Sequence, residues 1–177
     1  AWGGPKNAVK FQSLQDWTKN ENKGIKYYSG TAAYTKFFDL PSKNQSTTGL
    51  LLDLGTVNHI ARVKINDVTL GVVWTAPWTI KIPAKLLKAK NNKIEIEVTN
   101  VWANRLIGDE QEPADMEWLP GHMNSGSFLK QFPDWFLNNT SRPSKGRYTF
   151  TTWNYFTKDS ALIPSGLIGP VRIMDEK

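Results

Sequence analysis

The segment Lys93-Ile94-Glu95-Ile96-Glu97-Val98-Thr99 alternates strictly between polar and apolar residues. A period of two puts Ile94, Ile96 and Val98 on one face of a strand. Ala61-Arg62-Val63-Lys64-Ile65 alternates in the same way, with Val63 and Ile65 inward. Asn66-Asp67 then predicts a tight turn into a strand over Val68–Trp74. Trp78, Ile80 and Ile82 share a face in the next segment, and Leu50–Leu54 is a short apolar run closed by Gly55. Tyr34–Leu40 is apolar on both sides, while Arg147–Trp153 and Pro170–Ile173 complete the expected strands.

Turn signals recur at short intervals: Pro41-Ser42, Gly55, Asn66-Asp67, Ala76-Pro77, Asn91-Asn92 and Ser165-Gly166. Short strands spaced this way predict an all-β fold, an antiparallel β-sandwich or jelly roll. Helix is expected to be minor. Ser13–Trp17 reads as a capped short helix, and Pro133 limits the helical spacing of Phe128, Phe132, Trp135 and Phe136 to a turn or two. At 177 residues the chain is expected to form a single domain over 1–177. From Gly108 to Gly146 alternation stops, and Pro113, Pro120, Gly121, Gly126, Pro133 and Pro143 interrupt the chain. A loop of that length in a compact domain is usually functional or partner-bound. Trp118, Trp135, Phe128, Phe132 and Phe136 make it too aromatic for a free linker. Ordered anchors are expected at Trp118 and Phe132–Phe136, looser chain around His122–Ser127, and an apolar patch beside the acidic residues.

Composition narrows the function classes. With no cysteine, disulfides, Cys-ligated zinc and a thiol nucleophile are excluded. The net charge of +6 comes from residues 1–100, where 14 bases face 7 acids. Those lysines are scattered and arginine is scarce beside them, which argues against nucleic acid as a partner. No apolar run approaches the ~20 residues of a membrane-spanning helix, so membrane insertion is not expected. Eight Trp, five Tyr and eight Phe are the unusual feature. Large amphipathic rings suit both a thick core and a sugar-stacking surface.

Asp109, Glu110, Glu112, Asp115 and Glu117 crowd five carboxylates into nine residues. Paired carboxylates hydrolyse glycosides, and clustered ones bind calcium; a solvated acidic loop and a partner or substrate contact are the other readings. No EF-hand spacing is present, so no cofactor is expected beyond a structural calcium ion as one reading. His59 and His122 lie on different elements and make no nucleophile–base pattern. Asn104-Arg105-Leu106-Ile107-Gly108-Asp109 follows the Ile94–Val101 strand. Arg105 and Asp109 either pair internally or present a guanidinium and a carboxylate to sugar hydroxyls, with Trp102 as the stacking plane.

Several blocks resemble known enzymes. Ile25–Ala32 leading into Tyr34–Leu40, Leu52-Asp53-Leu54-Gly55, Ala61–Asp67, Leu70-Gly71-Val72, Trp74, Pro77 and Asn92–Asn100 resemble the galactose-binding-like sandwich domain of glycoside hydrolase family 2 and its relatives. Trp2-Gly3-Gly4-Pro5, Asn104–Asp109, Tyr148–Trp153 and Pro164–Val171 resemble the C-terminal domain of large bacterial enzymes similar to the family 106 α-L-rhamnosidases. The resemblance implies a fragment of a secreted or periplasmic enzyme whose catalytic acids lie in a preceding barrel. It implies a chain starting inside the domain's first strand region, with one edge strand missing or displaced. The expected role is a non-catalytic accessory domain that braces the catalytic domain of the same polypeptide and contacts oligosaccharide. The alternative is a carbohydrate-binding module acting on its own. The candidate glycan or interface residues are Trp74, Trp78, Trp102, Asn104, Arg105, Asp109, Glu110 and Trp118.

Overall fold

The computed structural model describes residues 3–40, 49–121 and 126–175. Trp2, Pro41-Ser42 and His122 therefore lie outside the described residues. The chain forms two compact units. One comprises Lys10–Lys19, Gly30–Val101 and Pro164–Lys177; the other comprises Ala1–Val9, Asn20–Ser29 and Trp102–Ile163.

The first unit is an antiparallel β-sandwich. Its larger sheet has the order β1-β7-β4-β5, with β1 Thr31–Phe38, β4 Ile60–Ile65, β5 Val68–Val73 and β7 Asn92–Thr99. A second sheet runs β12-β2-β6, with β2 Leu50–Asp53, β6 Thr79–Ile82 and β12 Arg172–Asp175. A two-stranded ribbon pairs β11 (Gly166–Gly169) with β3 (Thr56–Asn58). The alternation in the sequence becomes the core directly. Ile94, Ile96 and Val98 of β7 are buried, as are Ala61, Val63 and Ile65 of β4, with Leu50, Leu52, Leu54 and Ile82. The polar positions between them form a ladder in which Lys64 contacts Glu95 and Glu97, and Arg62 contacts Glu97. Asn66 and Asp67 both adopt positive φ between β4 and β5, as a two-residue hairpin turn requires.

The sequence reading needs correction at the ends of this unit. Ser13–Trp17 is not a helix; a single 3-10 turn covers Trp17–Lys19. Asp16 accepts from the amides of Thr18 and Ser165, so it ties the turn to the C-terminal segment rather than capping a helix. The last strands are Gly166–Gly169 and Arg172–Asp175.

The second unit is built from short elements. These are α1 (Lys23–Lys26), α2 (Ala103–Asp109), β8 (Trp118–Leu119), β9 (Ser127–Leu129), α3 (Asp134–Leu137) and β10 (Trp153–Asn154). Strands β8, β9 and β10 form one small sheet, with Leu119 opposite Phe128 and Phe128 opposite Trp153. Within the expected Arg147–Trp153 strand only Trp153 is a strand residue; Thr152 accepts a bond from the Leu129 amide, and the amides of Tyr148 and Thr149 donate to the Asp109 side chain. Pro133 precedes the one-turn helix α3, whose first position tolerates a missing N–H upstream.

Candidate functional site

The site grows from α2. Its (i, i+4) spacing sets Arg105 and Asp109 on one face, and Arg105 Nε donates to Asp109 Oδ1 at 2.9 Å. Both are buried, at 7% and 2% exposure. Asp109 Oδ2 accepts from the backbone amides of Tyr148 (2.9 Å) and Thr149 (2.7 Å) and from Thr149 Oγ1 (2.6 Å). The Arg105 guanidinium lies between the rings of Tyr27 and Tyr148, 6.0 and 5.1 Å from their centroids. Gly3, at φ +75°, packs so close that a Cβ there would sit 2.8 Å from Arg105 Nη1. Of the two readings of Arg105 and Asp109, the structure shows the internal ion pair. Neither group is presented to solvent.

Glu110 and Asp115 follow the same logic. Arg147 donates to Glu110 at 2.8 Å and to the carbonyls of Pro113 and Glu112 at 2.8 and 3.0 Å. Arg142 grips Asp115 through Nε at 2.6 Å and Nη2 at 3.2 Å, and Ser144 donates to the same carboxylate. Arg142 also stacks over Trp135. The acidic run is thus an internal framework that ties 109–115 to 142–149, with Glu117 meeting Lys130 at the surface. Among the described residues, no group of three or more His, Asp or Glu side chains is placed to hold a metal ion. Asn104 is 1% exposed and pairs both ways with the backbone of Ile163.

The aromatic residues behave differently. Trp102 is 75% exposed. Leu119, Phe128 and Trp153 form a cross-strand row, each about half exposed. Phe132 and Phe136 are also half exposed and stacked with each other and with Phe150, and Trp135 meets Phe136 and Phe150 edge-on. Beside the row lies a cavity of about 390 Å³ lined by Glu110, Trp118, Arg147, Phe150, Trp153 and Tyr155 among others. The structure therefore brings Asp109, Glu110 and Trp118 to one cavity. Trp74, which is exposed, and Trp78, which is half-buried, belong to the sandwich unit instead. Sequence reasoning missed Arg147, Trp153 and Tyr155 as cavity residues. The only available signal was their density of aromatic and threonine residues.

No family model matches the chain. It is 46% identical over 168 residues to the "Putative beta-glucuronidase" of Formosa agariphila, a match covering 94% of this chain and 14% of that protein. The solved rhamnosidase of Novosphingobium sp. PP1Y superposes with a TM-score of 0.74 at 33% identity, over 98% of this chain and 13% of that one. The chain is similar, over nearly its whole length, to a small domain of large glycoside hydrolases.

Within the second unit the acid framework sets a pH dependence. Burial works against charging Asp115, yet the bonds from Arg142 and Ser144 and the nearby guanidinium charge outweigh it. They hold the carboxyl below the ordinary carboxylate range. A pKa depressed by folding adds stability that is complete above the unfolded value, near ~3.9, and vanishes as pH falls through the folded one. Asp115→Asn should therefore be less stable than the wild type at pH 7. The two should converge as urea denaturation is repeated at successively lower pH below ~4. A gap that stays constant down that series would contradict the assignment.

Proposed function

We propose that this chain is a non-catalytic accessory domain of a rhamnosidase-like glycoside hydrolase, of bacterial, secreted or periplasmic origin, bracing the catalytic domain of the same polypeptide. The observation that carries this reading is the pairing of spent acids with unspent aromatics. Asp109 and Asp115, whose side chains are buried, are committed to arginines, a serine and backbone amides, and Glu110 gives one oxygen to Arg147. Glycoside hydrolysis needs one carboxyl free to donate a proton and another free to attack or activate water. Leu119, Phe128, Phe132, Phe136 and Leu137 meanwhile stay 46–65% exposed on one small unit. Apolar surface of that density usually marks an interface. The relatives, of which this chain spans 13–14%, have ample further chain to cover it.

Two measurements test the proposal. The isolated chain should release no product from aryl rhamnosides or aryl glucuronides between pH 4 and 8, whereas turnover that survives repurification would refute the non-catalytic role. Phe128→Asp with Leu137→Asp should leave the isolated chain's unfolding within ~0.5 kcal/mol of wild type, as surface changes do. In the whole parent polypeptide the same pair should cost several degrees of Tm. Equal behaviour in both settings would remove the bracing role.

A further inference from the structure

Beyond the bracing role, we propose that the cavity of the second unit is a binding subsite for one neutral pyranose residue, with the Trp153–Tyr155 pair as its stacking surface. The cavity volume of about 390 Å³ falls at the lower end of the ~300–1,000 Å³ typical of ligand pockets. Its mouth carries two adjoining rings, Trp153 and Tyr155, with centroids 5.3 Å apart and planes at 40°. They are 47% and 52% exposed, and Phe156 meets Tyr155 edge-on. Exposed rings held in place in this way lose little freedom when a ligand stacks on them. A pyranose offers what such a surface needs: a C–H face for the ring and a rim of hydroxyls for polar partners. The two rings lie against each other rather than side by side, so they offer one ring's open face and not an extended platform. That fits a single residue or a chain end better than the flat side of a long polymer.

The polar wall decides the ligand's charge. Glu110 spends Oε1 on Arg147, and its second oxygen carries no hydrogen bond among the described residues. That leaves a charged acceptor for a sugar hydroxyl, with Asn154 and Thr151 also at the wall. Arg147 is held by Glu110 and by two carbonyls, and Asp109 by Arg105. The cavity thus contains balanced charge with no spare cation. An anionic ligand would lose its hydration beside Glu110 without gaining a partner. A purely apolar ligand would leave Glu110 desolvated and unpaired. A neutral polyol meets both requirements.

The test is a titration of the intact chain followed by ¹H–¹⁵N NMR, reading the Trp153 indole and the Asn154 side-chain amide. The probes are neutral methyl pyranosides of gluco, galacto and rhamno configuration, set against sodium D-glucuronate. At least one neutral glycoside should give saturable shifts at these two groups with a millimolar or tighter Kd, and glucuronate should bind at least about fivefold more weakly. Tyr155→Ala should weaken binding about tenfold or more while Tyr155→Phe retains it, since the ring and not the hydroxyl stacks. Absence of saturable shifts up to ~50 mM, where a millimolar site is filled, would overturn the proposal. So would glucuronate binding as tightly as the neutral sugars, or Tyr155→Ala binding like wild type. None of these outcomes bears on the hydrolysis and docking measurements, so the two readings fail separately.

Discussion

Asp109→Ala is expected to unfold the second unit's framework, at a cost of about 3–5 kcal/mol, the range for breaking one partner of a buried ion pair. The carboxylate serves Arg105 with one oxygen and two backbone amides plus a hydroxyl with the other. Its removal leaves the Arg105 guanidinium, whose side chain is 9% exposed, without its counter-charge. The amides of Tyr148 and Thr149 lose their acceptor at the same time, and buried unpaired donors cost about 1–3 kcal/mol each. These terms share one cause and do not add. Asp109→Asn should cost less, because it keeps the shape and one acceptor oxygen. Hydrogen exchange locates the effect. The Tyr148 and Thr149 amides should lose protection in Asp109→Ala, while amides of β7 keep theirs. A loss below ~1 kcal/mol, the worth of an ordinary hydrogen bond, with both amides still protected would show that the network is not what holds this unit.

Gly55→Ala should be comparably damaging in the sandwich unit. Gly55 sits at φ +67° and forms a parallel bridge with Gly169. Its amide donates to Asp53 Oδ1, which fixes the turn after β2. A Cβ would stand 2.3 Å from the carbonyl carbon of Gly169 and 2.7 Å from the nitrogen of Pro170. Those atoms are backbone between β11 and β12 and cannot rotate away. The left-handed conformation costs alanine about 1–2 kcal/mol, and overpacking adds about 1–3. A loss of roughly 2–5 kcal/mol in urea denaturation is therefore expected. Gly71→Ala supplies the comparison. There φ is also positive, at +152°, but the nearest atom is the terminal methyl of Ile80 at 3.3 Å, which can move, so backbone strain is present without the backbone clash. If Gly55→Ala proves no worse than Gly71→Ala, the close approach does not constrain this corner.

The aromatic surface matches the expected patch beside the acidic residues, although the acids themselves are not solvated. Trp118 and Trp135 are half-buried anchors, as their composition suggested, while Phe132 and Phe136 remain half exposed. The looser chain expected from His122 to Ser127 lies largely outside the described residues.

What the sequence determined by itself was the sandwich. Strict alternation in β4 and β7 and the Asn66-Asp67 turn are local signals. Each strand's inward face could be read because its apolar residues repeat every second position. The resemblance to glycoside hydrolases also needed no coordinates. The tertiary structure alone decided the fate of the charged residues and the second unit. Helix α2 buries Asn104, Arg105 and Asp109 together with Ala103 and Ile107, so its inward face carries no apolar period to detect. Those polar groups are tolerable inside only because Tyr148, Thr149 and Ile163 supply their partners from 39 to 59 residues away. Strands β8 and β10 are two residues long and show no alternation at all. Which acid meets which arginine is a question of distance in space between segments 27 and 37 residues apart. Composition sets how many such pairs the chain can form, and only folding chooses among them.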